Sequence, residues 1–206
     1  MKKLISLALV LVMLCTVSLA FAKSLAPDNS EVEYLEGAVI HATVGAYNET
    51  TKTLTVTLYK NDNFDLEDAD KLAAGDLLLA NDQVCKVKEK KNDADGNILV
   101  TTEDGLELIF FQIGGDDVNL KLAEDDRQCM HAYAVLNLPV AEGIIYEDNS
   151  DPEANAPVVT KGLEEILKIK EQKEKDSIGF DFYATTIELN QNLEIVRIHQ
   201  DFDVAQ

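Results

Sequence analysis

From residue 37 onward, β-rich apolar runs and stretches of period-two alternation are separated by polar turns. Gly37–Tyr47 is apolar and β-rich, and Asn48-Glu49 breaks it. Thr53–Tyr59 then alternates, with Leu54, Val56 and Leu58 on one face and Thr53, Thr55, Thr57 and Tyr59 on the other. Such alternation marks half-buried strands, so the two runs predict a hairpin. Leu72–Val87 predicts a second: Gly75-Asp76 forms an entry corner, Leu77–Leu79 the first arm, Ala80–Asp82 the turn and Gln83–Val87 the return. Lys86–Lys91 reads as a strand end whose lysines blunt an edge, and Asn92–Asn97 as a turn. Ile98–Thr102 and Leu106–Ile113 follow as strands joined at Asp104-Gly105, a strong hairpin dipeptide, and Gly114–Asp117 ends the series.

The second half is less regular. Ala132–Val140 and Gly143–Tyr146 predict two strands separated by Pro139–Glu142, and Asp148–Pro157 reads as a flexible loop. Helical period appears twice. A short turn around Leu66–Leu72 has Asp65 as N-cap and acids in its first turn, where they complement the helix dipole. Thr160–Lys175 is the clear helix, with an apolar stripe of Leu163, Ile166, Leu167 and the Lys170 stem and i,i+4 pairs Glu164/Lys168 and Glu171/Lys175. Phe180–Leu189 and Leu193–Phe202, around Asn190–Asn192, form a final hairpin long enough to pair back onto the first. The expected fold is mainly β with one helix near 160–175: a small antiparallel barrel or sandwich closed by its N- and C-terminal hairpins, in a single domain over 34–206.

Residues 1–22 stand apart. Lys2 and Lys3 precede an apolar run from Leu4 to Leu19, and Ala20-Phe21-Ala22 has the small-x-small form of a signal cleavage site. A membrane anchor is the competing reading, but after Lys23 the chain turns polar and then acidic, with no basic stop-transfer cluster. Leu14 occupies the small-residue place that a lipobox at Cys15 requires. The expectation is cleavage after Ala22, a polar lead-in over 23–33, and a secreted protein (extracellular, or periplasmic where the source has an outer membrane).

Charge narrows the partners. The chain carries a formal −20, and removing a segment with two lysines and no acid leaves about −22. A field of that sign repels phosphate backbones and anionic lipid surfaces. Nucleic acid and membrane surfaces are therefore excluded as expected partners, whereas cations and basic peptides are permitted. Beyond the signal, Cys85 and Cys129 form one disulfide or stay as buried thiols, two readings the sequence leaves open. A disulfide closing that loop would contribute about 4 kcal/mol in the chain-entropy model.

The series Phe64-Asp65-x-x-Asp68, Leu72-x-x-Gly75-Asp76-x-Leu78 and Val84-x-x-Val87, followed by the late helix and Leu193-x-Ile195-x-x-Ile198, resembles a family of small exported bacterial β-barrel proteins with no assigned activity. Phe202 stands near the aromatic-rich closing strand of that family, followed by Asp203-Val204 rather than a proline. The resemblance implies a barrel and export. It carries over no catalytic residue.

Candidate chemistry is sparse. Asp93-Ala94-Asp95-Gly96-Asn97-Ile98 imitates the centre of an EF-hand loop, but Lys91 and Thr102 fall where position 1 and the bidentate position 12 need acids. A hairpin turn is the reading this favours. Asp62, Asp65, Glu67, Asp68 and Asp70 crowd into nine residues as a weak calcium candidate, and Glu124-Asp125-Asp126 is a weaker one. His41, His131 and His199 stand singly, and Cys129 and His131 are too close along the chain to face each other as nucleophile and base. No G-x-S-x-G, S-x-x-K or Walker-type loop occurs. With no tryptophan, Tyr34, Tyr47, Tyr59, Tyr133, Tyr146 and Tyr183 are the remaining stacking platforms. The expected function is non-catalytic binding of an extracellular ligand or protein partner. The alternatives are a calcium-binding module using the acidic loops and a hydrolase with an unrecognised acid pair.

Overall fold

The computed structural model describes residues 24–25, 39–175 and 180–201. The expected signal segment, residues 26–33 of the lead-in and Tyr34 lie outside them. Thirteen strands and two helices occur among the described residues. The strands are β1 (Ser24–Leu25), β2 (Val39–Asn48), β3 (Thr53–Asn61), β4 (Asn63–Asp65), β5 (Leu77–Ala80), β6 (Gln83–Asn92), β7 (Ile98–Thr102), β8 (Glu107–Gly114), β9 (Asp117–Leu122), β10 (Met130–Asn149), β11 (Val158–Lys161), β12 (Thr185–Leu189) and β13 (Ile195–Asp201). The helices are α1 (Leu66–Asp70) and α2 (Leu163–Lys175). The protein is thus mainly β, as its alternation requires.

The contacts divide the chain into two compact units. The first holds the described residues of Met1–Asp28 and Asn61–Met130, the second those of Asn29–Lys60 and His131–Gln206. In the first unit one sheet runs β1-β5-β6-β7-β8-β9-β4. The hairpin of Leu72–Val87 lies within it, with Leu78 opposite Cys85 and the turn at Asn81-Asp82, both at positive φ. Its entry corner forms as read. Gly75 N–H donates to Val87 O at 2.8 Å, Val87 N–H to Asp76 O at 2.9 Å, and Asp76 Oδ2 accepts from Ala73 N–H at 3.0 Å. Gly75 has φ of 95°, a conformation that favours glycine. Inward residues on alternate positions build one core, including Leu78, Val87, Val100, Leu108, Phe110 and Leu120. Phe64 meets Phe110 edge to face, their ring centroids 5.2 Å apart.

The second unit has a sheet ordered β11-β10-β13-β12-β2-β3, and β10 also pairs with β3. The pairings β3-β2-β12-β13-β10-β3 therefore return on themselves, as a barrel requires. The last hairpin does pair with the first strand of the first hairpin: Ile187 lies opposite Ile40 and Thr186 opposite His41. Leu54, Val56, Leu58, Ile144, Tyr146, Ile187, Leu189, Ile195 and Ile198 fill the core, and Ile166 of α2 packs into it. The helix keeps its expected i,i+4 pair, with Lys168 Nζ 3.1 Å from Glu164. The Lys175 side chain lies outside the described residues.

Several elements differ from the sequence reading. Ala132–Val140 and Gly143–Tyr146 belong to one strand, β10, whose pairing with β13 carries an irregularity between Val140 and Ile145. The β10–β13 pairing is parallel, since α2 and β12 intervene as a crossover rather than a tight turn. Gly114–Asp117 does not end the first series but turns into β9, which also pairs with β4. Thr160 and Lys161 belong to β11 rather than to the helix, and Gly162, at φ of 91°, separates the two. Ser24-Leu25, read as lead-in, pair in parallel with Leu77-Leu78.

Candidate functional site

The five acids singled out in the sequence divide among three roles: a buried acceptor, a helix cap and ion pairs with lysines. Asp62 is wholly buried, and its carboxylate accepts from Asn81 N–H at 2.7 Å. Asp65 caps α1, accepting from Glu67 N–H at 2.8 Å and Asp68 N–H at 3.3 Å, which is the capping the sequence predicted. Glu67 pairs with Lys71, and Asp68 lies 3.9 Å from the same ammonium. Asp70 lies 3.6 Å from Lys90 Nζ. Among the described residues no three His, Cys, Asp or Glu side chains group so as to hold a metal ion. Asp65, Glu67 and Asp70 do share an open cleft of about 450 Å³ with Asp116, Asn92 and Ile98.

The EF-hand-like segment is a hairpin turn. The Asp93 carboxylate accepts from Asp95 N–H, Asn97 N–H and Asn97 Nδ2, each at 2.9 Å, and Gly96 takes φ of 88°. The Asn97 side-chain hydrogen bond, followed by backbone donors, holds this carboxyl below its ordinary range. Its oxygens are turned onto its own loop. Of the acids at 124–126, Asp125 engages Arg127 Nε at 2.6 Å and Asp126 engages Lys121 at 2.6 Å.

Cys85 and Cys129 are free thiols and buried. Burial first, and the Asp62 charge second, push the Cys129 thiol up to about 12; burial also raises Cys85. Thiols so shifted are poor nucleophiles at neutral pH. His41 Nδ1 lies 2.9 Å from Phe182 O, and His131 is buried. His199 is the exception to the scattered pattern: Nε2 lies 3.0 Å from Asp201 Oδ1 and Nδ1 3.5 Å from Glu147 Oε2. Asp201 stands two residues on in β13, whereas Glu147 comes from the adjacent β10, a partner that spacing along the chain conceals. Arg197 joins Glu147 to Glu188 on the same face. The polar partners of the His199 ring are carboxylates, and a hydroxyl or thiol nucleophile, which acyl transfer needs beside its base, is not among them.

Tyr146 is fully buried on β10, its hydroxyl 2.9 Å from Asp148 Oδ2, to which it donates, and 2.7 Å from the Gln200 side-chain amide. Lys173 of α2 reaches the same carboxylate at 2.9 Å. This network fastens the helix to the barrel. Tyr59 stacks on Phe182 with centroids 4.2 Å apart, and Lys60 lies over the Tyr133 ring at 5.8 Å. These two rings are thereby engaged within the second unit.

A second open groove, of about 640 Å³, lies on the second unit and is lined by Ala46, Tyr47, Asn48, Glu49, Thr51, Thr53, Thr55 and Asn137. Its floor is the threonine face of β3 that alternation had exposed. β2 bulges here: Val44 faces Val56 and Tyr47 faces Leu54, so Gly45 and Ala46 together oppose Thr55. A Cβ on Gly45 would stand 3.1 Å from Thr55 O, so the close approach of the two strands calls for glycine. Thr55 Oγ1 donates to Asn137 Oδ1 at 2.7 Å, Thr51 and Thr53 hydroxyls lie 2.7 Å apart, and Asn48 Oδ1 accepts from Thr50 and Thr51 N–H. Sequence reasoning found the threonines but not the groove, because Asn137 arrives only through the β10–β3 pairing. No family model, curated protein or solved structure matches the chain.

Proposed function

We propose that this chain is a secreted acidic protein that binds an extracellular ligand without transforming it, and that the groove over β3 is where it does so. The observation that carries the reading is the groove: its volume falls within the roughly 300–1,000 Å³ of small-ligand sites, and its floor is a rigid strand held on both sides. The N-terminal charge and hydropathy pattern supports export. The buried, proton-retaining thiols and the carboxylate-bound His199 supply no nucleophile–base pair, which supports binding over catalysis.

Backbone amide shifts test the reading when the purified protein is titrated separately with neutral oligosaccharides, a lysine-rich peptide and calcium chloride. The expected result is that at least one titrant moves the resonances of residues 46–55 and 137. Silence of the groove toward all of them overturns the site, and turnover of any titrant overturns the non-catalytic reading.

A further inference from the structure

We infer that the groove over β3 takes a neutral, polyhydroxylated ligand, a stretch of uncharged glycan; this rests on reading the groove as the ligand site. The lining has a chemical character that excludes other classes one by one. It holds three threonine hydroxyls, two carboxamides, one tyrosine and a single carboxylate, Glu49, with no lysine or arginine among the lining residues. An anionic ligand would meet no counter-charge there and a chain field of −20 around it. An apolar ligand would cover these hydroxyls and amides and leave their remaining donor and acceptor capacity unused.

An extended peptide commonly docks by adding a strand to an open sheet edge. The floor strand β3 has no such edge, since β2 lies on one side of it and β10 on the other. Side chains, not backbone, therefore do the recognising. They are arranged for a ligand that both donates and accepts. Asn137 Oδ1 is engaged by Thr55, which fixes the amide and directs its Nδ2 donors elsewhere, while the hydroxyls of Thr51 and Thr53 offer donor and acceptor capacity side by side. Sugar hydroxyls match that alternation. Tyr47 lines the groove while packing partly on the core opposite Leu54, so the polar side chains carry the recognition.

Calorimetric titration with uncharged tetrasaccharides of glucose, N-acetylglucosamine, xylose and mannose, beside a tetragalacturonate, tests the inference. At least one neutral sugar is expected to bind, and the acidic one to bind more weakly than any that does. Asn137→Ala, an exposed position, and Thr55→Val are each expected to weaken binding about fivefold to tenfold, the equivalent of one hydrogen bond near 1 kcal/mol, with the melting temperature of Asn137→Ala unchanged. Binding of the acidic sugar as tightly as the neutral ones, affinity unaltered in both variants, or no neutral sugar bound at millimolar concentration overturns the ligand class. A groove that responds to the lysine-rich peptide but to no sugar overturns the class and leaves the site standing; one that responds to nothing overturns both.

Discussion

Asp62 and Asn81, nineteen residues apart, are locked by a 2.7 Å hydrogen bond from the Asn81 amide to the buried Asp62 carboxylate. Asn81 in turn accepts from Met130 N–H through its side-chain oxygen, and Asp62 N–H donates to Cys129 O at 2.9 Å. Asp62 thus holds the tip of the β5–β6 hairpin by its carboxylate and Cys129 by its backbone N–H. Counted by sequence it was a candidate calcium ligand; by its contacts it is a clamp.

Removing that acceptor takes a partner from the half-buried Asn81 N–H. Asp62→Ala is expected to destabilise the protein by about 1–3 kcal/mol, while Asp62→Asn, which keeps an oxygen, loses less. Denaturant midpoints measure both, and an Asp62→Ala midpoint equal to that of the parent would refute the clamp.

Acid should loosen the attachment of α2. Burial raises the Asp148 carboxyl, but hydrogen bonds from the Ser150 hydroxyl, Lys173 ammonium, Ser150 N–H and Tyr146 hydroxyl outweigh it and hold the group at about 2. A carboxyl depressed on folding stabilises the protein above its ordinary value of 3.8, and that contribution is lost as pH falls toward 2. Asp148→Asn should lower stability at pH 7 and flatten the acid limb of a pH–stability curve between 4 and 2. An acid limb identical to the parent's would show that another group governs it.

Alkali acts in the opposite sense on Cys129. Its thiol ionises near 9.0 in the unfolded chain and near 12 when folded, so the stability it confers is complete below 9 and lost between 9 and 12. Cys129→Ala should reduce the loss of stability across that window relative to pH 7. Cys85 and Cys129 should both titrate in the denatured, unreduced protein and resist titration in the native one at pH 8; if neither titrates in the denatured protein, a disulfide joins them.

Calcium should leave the melting curve unmoved. The Asp93 oxygens are engaged by Asp95 and Asn97, Asp65 caps α1, and Glu67 and Asp70 are paired with Lys71 and Lys90. A rise in melting temperature of several degrees at millimolar calcium would mean that these carboxylates rearrange around the ion.

The sequence by itself determined the strands whose burial alternates. Leu54-x-Val56-x-Leu58 and Ile98-x-Val100-x-Thr102 each place alternate residues inward, and that pattern is local, written by the two-residue period of the pleat. It also determined the cap at Asp65, the turns at Asn81-Asp82 and Asp104-Gly105, and the α2 stripe, all set by residues within one turn of each other. Short strands such as β4, and β11 with Val158 and Val159 exposed, carry no such signature and exist because a neighbouring strand offers its hydrogen bonds. Tertiary structure alone decided which strands meet. It made β10 one strand, set it parallel to β13, brought Glu147 to His199, and carried Asn137 to Thr55 across 82 residues. Pairing energy depends on the partner as much as on the strand, and the partner lies too far along the chain for a local pattern to name it.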